Sequence, residues 1–199
     1  MEVEVDGYVI DIVRNDLLIE IQTTNFSAIK GKLWDLLQRH RVRLVYPVIA
    51  EKHIIKETPD GSKVIDRRLS PKRESIHDVF YEMVYLPRFI ERPNFSIHVV
   101  VVKAEEIRRR DGRGSWRRRG WSIIDTELVE VIDSQLFEKP SDLVRLIPGD
   151  LDCPFTNSEL AEYIGRPAAL ARKMTYTLRK LGVLRLVGKR GRAHLHSTD

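Results

Sequence analysis

Cysteine is nearly absent from this chain: only Cys153 carries a thiol among 199 residues, which excludes an intrachain disulfide framework and a cysteine-rich zinc site. Cys153 itself is expected to be a small packing residue. Long apolar runs are missing too. The longest aliphatic stretch, Ile97 to Val102, is broken by His98 and falls far short of the ~20 residues that cross a bilayer. The opening Met1-Glu2-Val3-Glu4-Val5-Asp6 is acidic and alternating, unlike the basic start and apolar run of a signal peptide. A cytoplasmic protein with no membrane association is therefore expected. No Gly-rich phosphate loop, Rossmann fingerprint or Ser/His/Asp peptide occurs, so kinase, nucleotide-hydrolase and dehydrogenase chemistry have no support and no organic cofactor is implied.

What the chain does contain is ordinary globular composition with unevenly placed charge. Hydrophobic residues make up 42% and charged residues 32%, enough for one large domain or two modest ones with proper cores. The net charge of +5 (34 basic, 29 acidic) is modest, but its basic residues cluster. Arg67, Arg68, Lys72 and Arg73 form one group, Arg108 to Arg119 a second, and Lys189, Arg190 and Arg192 a third. Three such groups read as an electrostatic footprint for nucleic acid.

Residues 3–23 read as short strands punctuated by the turns Asp6-Gly7 and Asn15-Asp16. From Ser27 to His40 the apolar period becomes helical, with Ile29, Leu33, Leu36 and Leu37 on one stripe, and Val42 to Ile49 returns to strand. Residues 53–69 form a hairpin insertion around Pro59-Asp60-Gly61-Ser62. A helix near Ser75 to Tyr85, a strand at Ser96 to Lys103, a basic loop over 108–120, and a strand pair or strand and turn through Trp121 to Ile132 complete a first domain, 1–138. The fold class is α/β (α+β), with a mixed sheet and a crossover helix.

Residues 141–199 change to short helices. Ser141 can cap a helix over Asp142 to Ile147, Thr156-Asn157-Ser158-Glu159 is a capping box, and a helix runs from Pro167 to Leu181 before a basic hairpin. This order resembles a winged helix-turn-helix. The resemblance implies that Ala169, Arg172, Lys173, Tyr176 and Arg179 face DNA and that Lys189, Arg190 and Arg192 form the wing. A charged outer face that merely solvates a helical domain is the competing interpretation.

A two-residue turn at Asn15-Asp16 pairs Val13 with Leu18 and Ile12 with Ile19, which sets Asp11 opposite Glu20. Two like charges so placed need an offset. A divalent cation with hard oxygen ligands, magnesium or manganese, supplies one. The strand ending Ile10-Asp11, the turn, Ile19-Glu20-Ile21-Gln22, a helix and another strand resemble the PD-(D/E)XK nuclease superfamily over roughly residues 1–50. The resemblance implies that Asp11 and Glu20 bind metal and that Gln22 stands in the lysine position. Lys30 or Lys32 on the following helix would supply the missing positive charge, with Glu2 or Glu4 as additional acids. Trp116-Arg117-Arg118-Arg119-Gly120-Trp121 offers guanidiniums for phosphate and indoles for bases, or tryptophans that anchor the loop. His194 and His196, alternate residues in a strand, share one face, and without a third ligand nearby they are expected to be surface residues rather than a metal site. The combined expectation is a DNA-binding, magnesium-dependent endonuclease delivered by its winged helix. The alternative is a DNA-binding regulator that retains the nuclease fold without cleavage. A homodimer is compatible with both.

Overall fold

The computed structural model describes residues 3–198. Its secondary structure begins with the antiparallel hairpin β1 (Val3–Val5) and β2 (Tyr8–Ile10), turned by Asp6 and Gly7, both at positive φ. Next come β3 (Ile12–Arg14) and β4 (Leu17–Ile21), the helix α1 (Lys30–Leu36), the long strand β5 (Arg41–Glu57) and β6 (Val64–Leu69). The short helix α2 (Phe80–Met83) follows a 3-10 turn, and two further long strands, β7 (Phe95–Arg109) and β8 (Ser122–Phe137), flank the basic loop. The chain ends in α3 (Asn157–Tyr163), α4 (Ala168–Lys180) and the hairpin β9 (Arg185–Arg190) and β10 (Ala193–Ser197).

The main sheet is mixed, in the order β3-β4-β5-β7-β8, with β6 also paired to β5. β3 and β4 are antiparallel in the expected register, Ile12 opposite Ile19 and Arg14 opposite Leu17. β4 and β5 are parallel neighbours joined through α1, the arrangement that a strand-helix-strand crossover demands. β3 lies at the sheet edge, with Ile12 and Val13 exposed. The aliphatic neighbours of Asp11 therefore part ways: Ile10 is buried, while Ile12 and Val13 fringe the sheet.

β5 continues through what reads in sequence as two strands, 42–49 and 53–56. Pro47 lies within the first of these, and its position explains how a 17-residue strand tolerates proline. On that side, β5 pairs with β4 through residue 45 and with β6 from residue 53. Proline, lacking an N–H, falls in the gap where neither partner needs one. Likewise β8 is one unbroken 16-residue strand, where the sequence reads as a strand pair or a strand and turn.

The chain divides into two compact units: residues 1–46, 76–99 and 135–199, and residues 47–75 and 100–134. Residues 135–199 fall in the first unit with residues 1–46 and 76–99. The C-terminal helices share their unit with α1 and α2, because Met174 and Leu178 of α4 are buried beside Phe80 and Met83 of α2 in a common core. Arg166 pairs with Asp78, Lys173 Nζ donates to the Tyr81 carbonyl at 3.3 Å, and the His77 ring meets the Leu146 carbonyl at 3.1 Å. The second unit is a thin sheet of β6 and the 47–75 and 100–134 portions of β5, β7 and β8. Its buried apolar side chains are Val48, Ile54, Val102 and Ala104.

At the C-terminal end the capping box is present: Glu159 N–H donates to Thr156 Oγ1 at 3.2 Å, and Thr156 N–H to Glu159 Oε2 at 2.7 Å. The preceding segment is a 3-10 helix, Pro140–Leu146, held by Asp142 rather than Ser141. The Asp142 carboxylate accepts the N–H groups of Glu138 and Lys139. Cys153, expected in packing, is exposed in the loop before α3. A bulge between Leu195 and His196 breaks the alternation of β10. His196 is therefore buried against Phe155 while His194 is exposed, and the two do not share a face. Among the described residues no helix is long and apolar enough to cross a membrane.

Candidate acid–lysine site and nucleic-acid interface

Glu20 is the fourth residue of β4, and strand alternation turns it with Leu18 to the buried side. Burial of a carboxylate is costly without a partner. Lys32 provides it from the first turn of α1: its Nζ lies 2.7 Å from Glu20 Oε1 and also donates to the Val9 carbonyl at 2.6 Å. An ammonium has three N–H donors, so one remains for another acceptor. Glu20 Oε2 is buried with no hydrogen-bond partner.

Asp11 lies between β2 and β3, one step beyond the Ile12–Ile19 pair. Its Oδ2 accepts the backbone N–H of Ile21 at 2.7 Å. The aspartate therefore continues the ladder with a side chain, adjacent along β4 to Glu20. The offset to these carboxylates that the sequence suggested as a cation is, at Glu20, an ion pair with Lys32.

The other predicted members diverge. Gln22, just past β4, donates its backbone N–H to the Val45 carbonyl and its side-chain amide to Thr24. Lys30 and Lys32 are two positions apart on a helix, hence roughly 200° apart around its axis, and cannot both serve Glu20. Lys30 instead lines a cleft of about 340 Å³ with Trp34, Tyr85, Arg88, Tyr176 and Lys180. Glu4 is exposed on β1, and Glu2 falls outside the described residues. Among the described residues, no group of three or more His, Cys, Asp or Glu side chains gathers as a metal site.

The cleft is the feature that sequence reasoning missed. Trp34, Tyr85 and Tyr176 are half exposed, the cations come from three elements, and no acidic side chain lines it. Arg92 stacks on Trp34 at 4.2 Å and Lys173 lies 5.4 Å from the Tyr85 ring. The available signal was Trp34 lying off the apolar stripe of its helix, four residues after Lys30.

On α4 the buried face comprises Leu170, Ala171, Met174, Thr175, Thr177 and Leu178. Ala169, Arg172, Tyr176 and Arg179 remain exposed at helical spacing. Lys173 does not join them, being half buried against Tyr81 and Tyr85. In the hairpin, Gly191 and Arg192 form the turn, and Lys189 and Arg192 are exposed. Arg190 folds back to pair with Glu159. Its surroundings include Asp150, Asp152 and Glu162, an acidic setting that repels phosphate. The N–H of Thr156, aided by Arg190, holds the Glu159 carboxyl below its ordinary value.

In the second unit the basic loop separates its own residues. Arg108 Nε bonds Glu106 at 2.6 Å and Arg109 Nε bonds Glu57 at 2.8 Å. Arg117, Arg118 and Arg119 are exposed on a 3-10 turn. Both tryptophans carry a cation: Lys56 lies 5.4 Å from the Trp121 ring and the Arg117 guanidinium 5.6 Å from that of Trp116, which is 83% exposed. The first basic cluster is largely paired, Arg67 with Glu105 and Lys72 with Glu74, each at 2.5 Å.

These observations define a mixed-sheet α/β protein with a buried acid–lysine pair and an aromatic, cationic cleft. The chain belongs to the family described as Domain of unknown function (DUF8091), which matches residues 1–138. An uncharacterized protein of Treponema pallidum (strain Nichols) is 31% identical over 199 residues, covering all of this chain and 78% of the relative. No solved structure matches.

Proposed function

We propose that the chain is a DNA-binding protein whose N-terminal module hydrolyses phosphodiester bonds, in the manner of PD-(D/E)XK nucleases, with the C-terminal helices and hairpin acting as a winged helix. The observation that carries this reading is the Glu20–Lys32 pair beside Asp11. A lysine absent from the strand position arrives from α1 with one N–H to spare, and a buried carboxylate oxygen has no protein partner. That oxygen and the second oxygen of Asp11 suit a hard divalent cation, which would take its remaining ligands from water and phosphate. Magnesium or manganese would supply charge neutralisation and a more acidic water. Lys32 would hold the phosphate through its spare N–H, and Asp11 would be fixed by the Ile21 N–H. DNA would lie along Arg172, Tyr176 and Arg179, with Lys189 and Arg192 on flanking phosphates and the cleft taking an unpaired base.

A second reading, a regulator that binds without cutting, is favoured by one fact: Lys32 already neutralises Glu20. Nicking of supercoiled plasmid with magnesium, then manganese, separates the two. Cleavage lost in Asp11→Asn and Glu20→Gln, and reduced about 10²–10³-fold in Lys32→Ala, supports hydrolysis. Intact binding with no cleavage supports the regulator. Arg172→Ala and Arg192→Ala should each lower the salt slope of DNA affinity by about one; unchanged slopes in both would sink the winged-helix reading.

A further inference from the structure

β8 ends the sheet beside β7, and residues 123–134 are exposed without interruption on both of its faces. Six of them are large aliphatics: Ile123, Ile124, Leu128, Val129, Val131 and Ile132. The strand contains no proline, glycine, lysine or arginine, so most devices that blunt an edge are missing. An edge of this length and hydrophobicity is a template for another strand.

The acids on β8 decide which strand. Asp125, Glu127, Glu130 and Asp133 are its only charges, and like charges directly opposed across a ladder are destabilising. A two-fold antiparallel pair of identical strands must set one residue opposite its own copy. With Asp125, Glu127, Glu130 or Asp133 on the axis, acid faces acid. With Thr126 there, Asp125 meets Glu127; with Val129, Asp125 meets Asp133. Leu128 on the axis avoids every such clash. Asp125 then faces Val131, Glu127 faces Val129, Glu130 faces Thr126 and Asp133 faces Ile123. On the face that Leu128 occupies, Ile124 meets Ile132 on either side of a Leu128–Leu128 contact. This register spans residues 122–134, which contain the whole uncovered run. Val131 or Ile132 as axis also avoids acid pairs, but each extends the pairing to the buried Phe137, and Ile123 or Ile124 as axis leaves most of the uncovered run unpaired.

We propose that β8 is the homodimer interface of this protein, pairing antiparallel with β8 of a second copy about a two-fold axis at Leu128. The four acids act as register markers, forbidding neighbouring alignments. Sedimentation equilibrium of the full chain tests the assembly. The wild type is expected to be a dimer, and Leu128→Asp, which opposes two carboxylates on the axis, should raise the dissociation constant at least about tenfold. Leu128 is exposed, so the variant keeps its circular dichroism spectrum. The register is tested in a Cys153→Ser background under oxidised glutathione. Leu128→Cys should cross-link, because directly opposed strand residues lie within disulfide reach, while Val129→Cys should not. A wild-type monomer, a dimer indifferent to Leu128→Asp, or cross-linking through Val129→Cys with none through Leu128→Cys overturns the proposal.

Discussion

The two compact units bury their side chains to very different degrees. The first holds five fully buried phenylalanines, Phe26, Phe80, Phe95, Phe137 and Phe155, in contact with helices and sheet. The second is a ribbon of strands in which Val64, Ile65, Leu69 and the β8 aliphatics remain in water. Beside its four buried aliphatics lies a charged network: Glu106, 4% exposed, receives Lys52 at 2.5 Å and Arg108 at 2.6 Å. Burial alone would raise the Glu106 pKa, but these two donors outweigh it and hold the carboxyl below its ordinary value. One unit is thus held by packing, the other by hydrogen-bonded strands and ion pairs, which specify geometry while contributing less net stability.

Three measurements would break or sharpen this contrast. The largest effect belongs to Phe80→Ala, expected to cost about 3–5 kcal/mol in denaturant unfolding because the cavity cannot collapse. Ile65→Ala, at an exposed position in the other unit, should stay within about 0.5 kcal/mol; equal losses would refute the contrast. Next, Glu106→Gln should cost about 2–4 kcal/mol, below a fully buried pair because Lys52 and Arg108 keep some water contact. Hydrogen exchange should then rise chiefly in residues 47–57 and 100–109, and uniform exchange across both units would contradict a separate network.

The smallest effect is pH dependence. Burial, with Arg179 and His194 nearby, lowers the pKa of His196; burial likewise lowers His77 and His98. The unfolded chain therefore binds protons that the folded chain refuses. Stability is fully present above the unfolded value near 6.5 and declines as pH falls toward the folded values. The melting temperature should fall from pH 7.5 to 5.5, and less steeply in His196→Phe. A flat or rising profile would contradict this.

Local chemistry explains which features were legible in the sequence. Asn15-Asp16, the Thr156–Glu159 box and Gly182 act within a few residues, so their turns and caps could be placed directly. The β4–α1–β5 parallel unit follows from periodicity. Sheet position does not follow, because a Val- and Ile-rich segment such as β3 reads alike at an edge and in the centre; nor does the unbroken length of β8, whose polar residues read as a turn. At the site, Lys32 was among two named lysines, but only the helix phase chooses it over Lys30. The cleft was invisible because Trp34, Tyr85 and Tyr176 meet from three elements distant in sequence. His196 was hidden by a single bulge.

Lys32 also has a consequence for the order of assembly. The charge that makes Glu20 tolerable in the interior arrives on the helix that joins β4 to β5. Until α1 docks, β4 carries an uncompensated carboxylate and resists burial. Completion of the crossover and completion of the site are therefore one event. A chain whose α1 has slipped or frayed would lose the burial of Glu20 along with the spare N–H of Lys32.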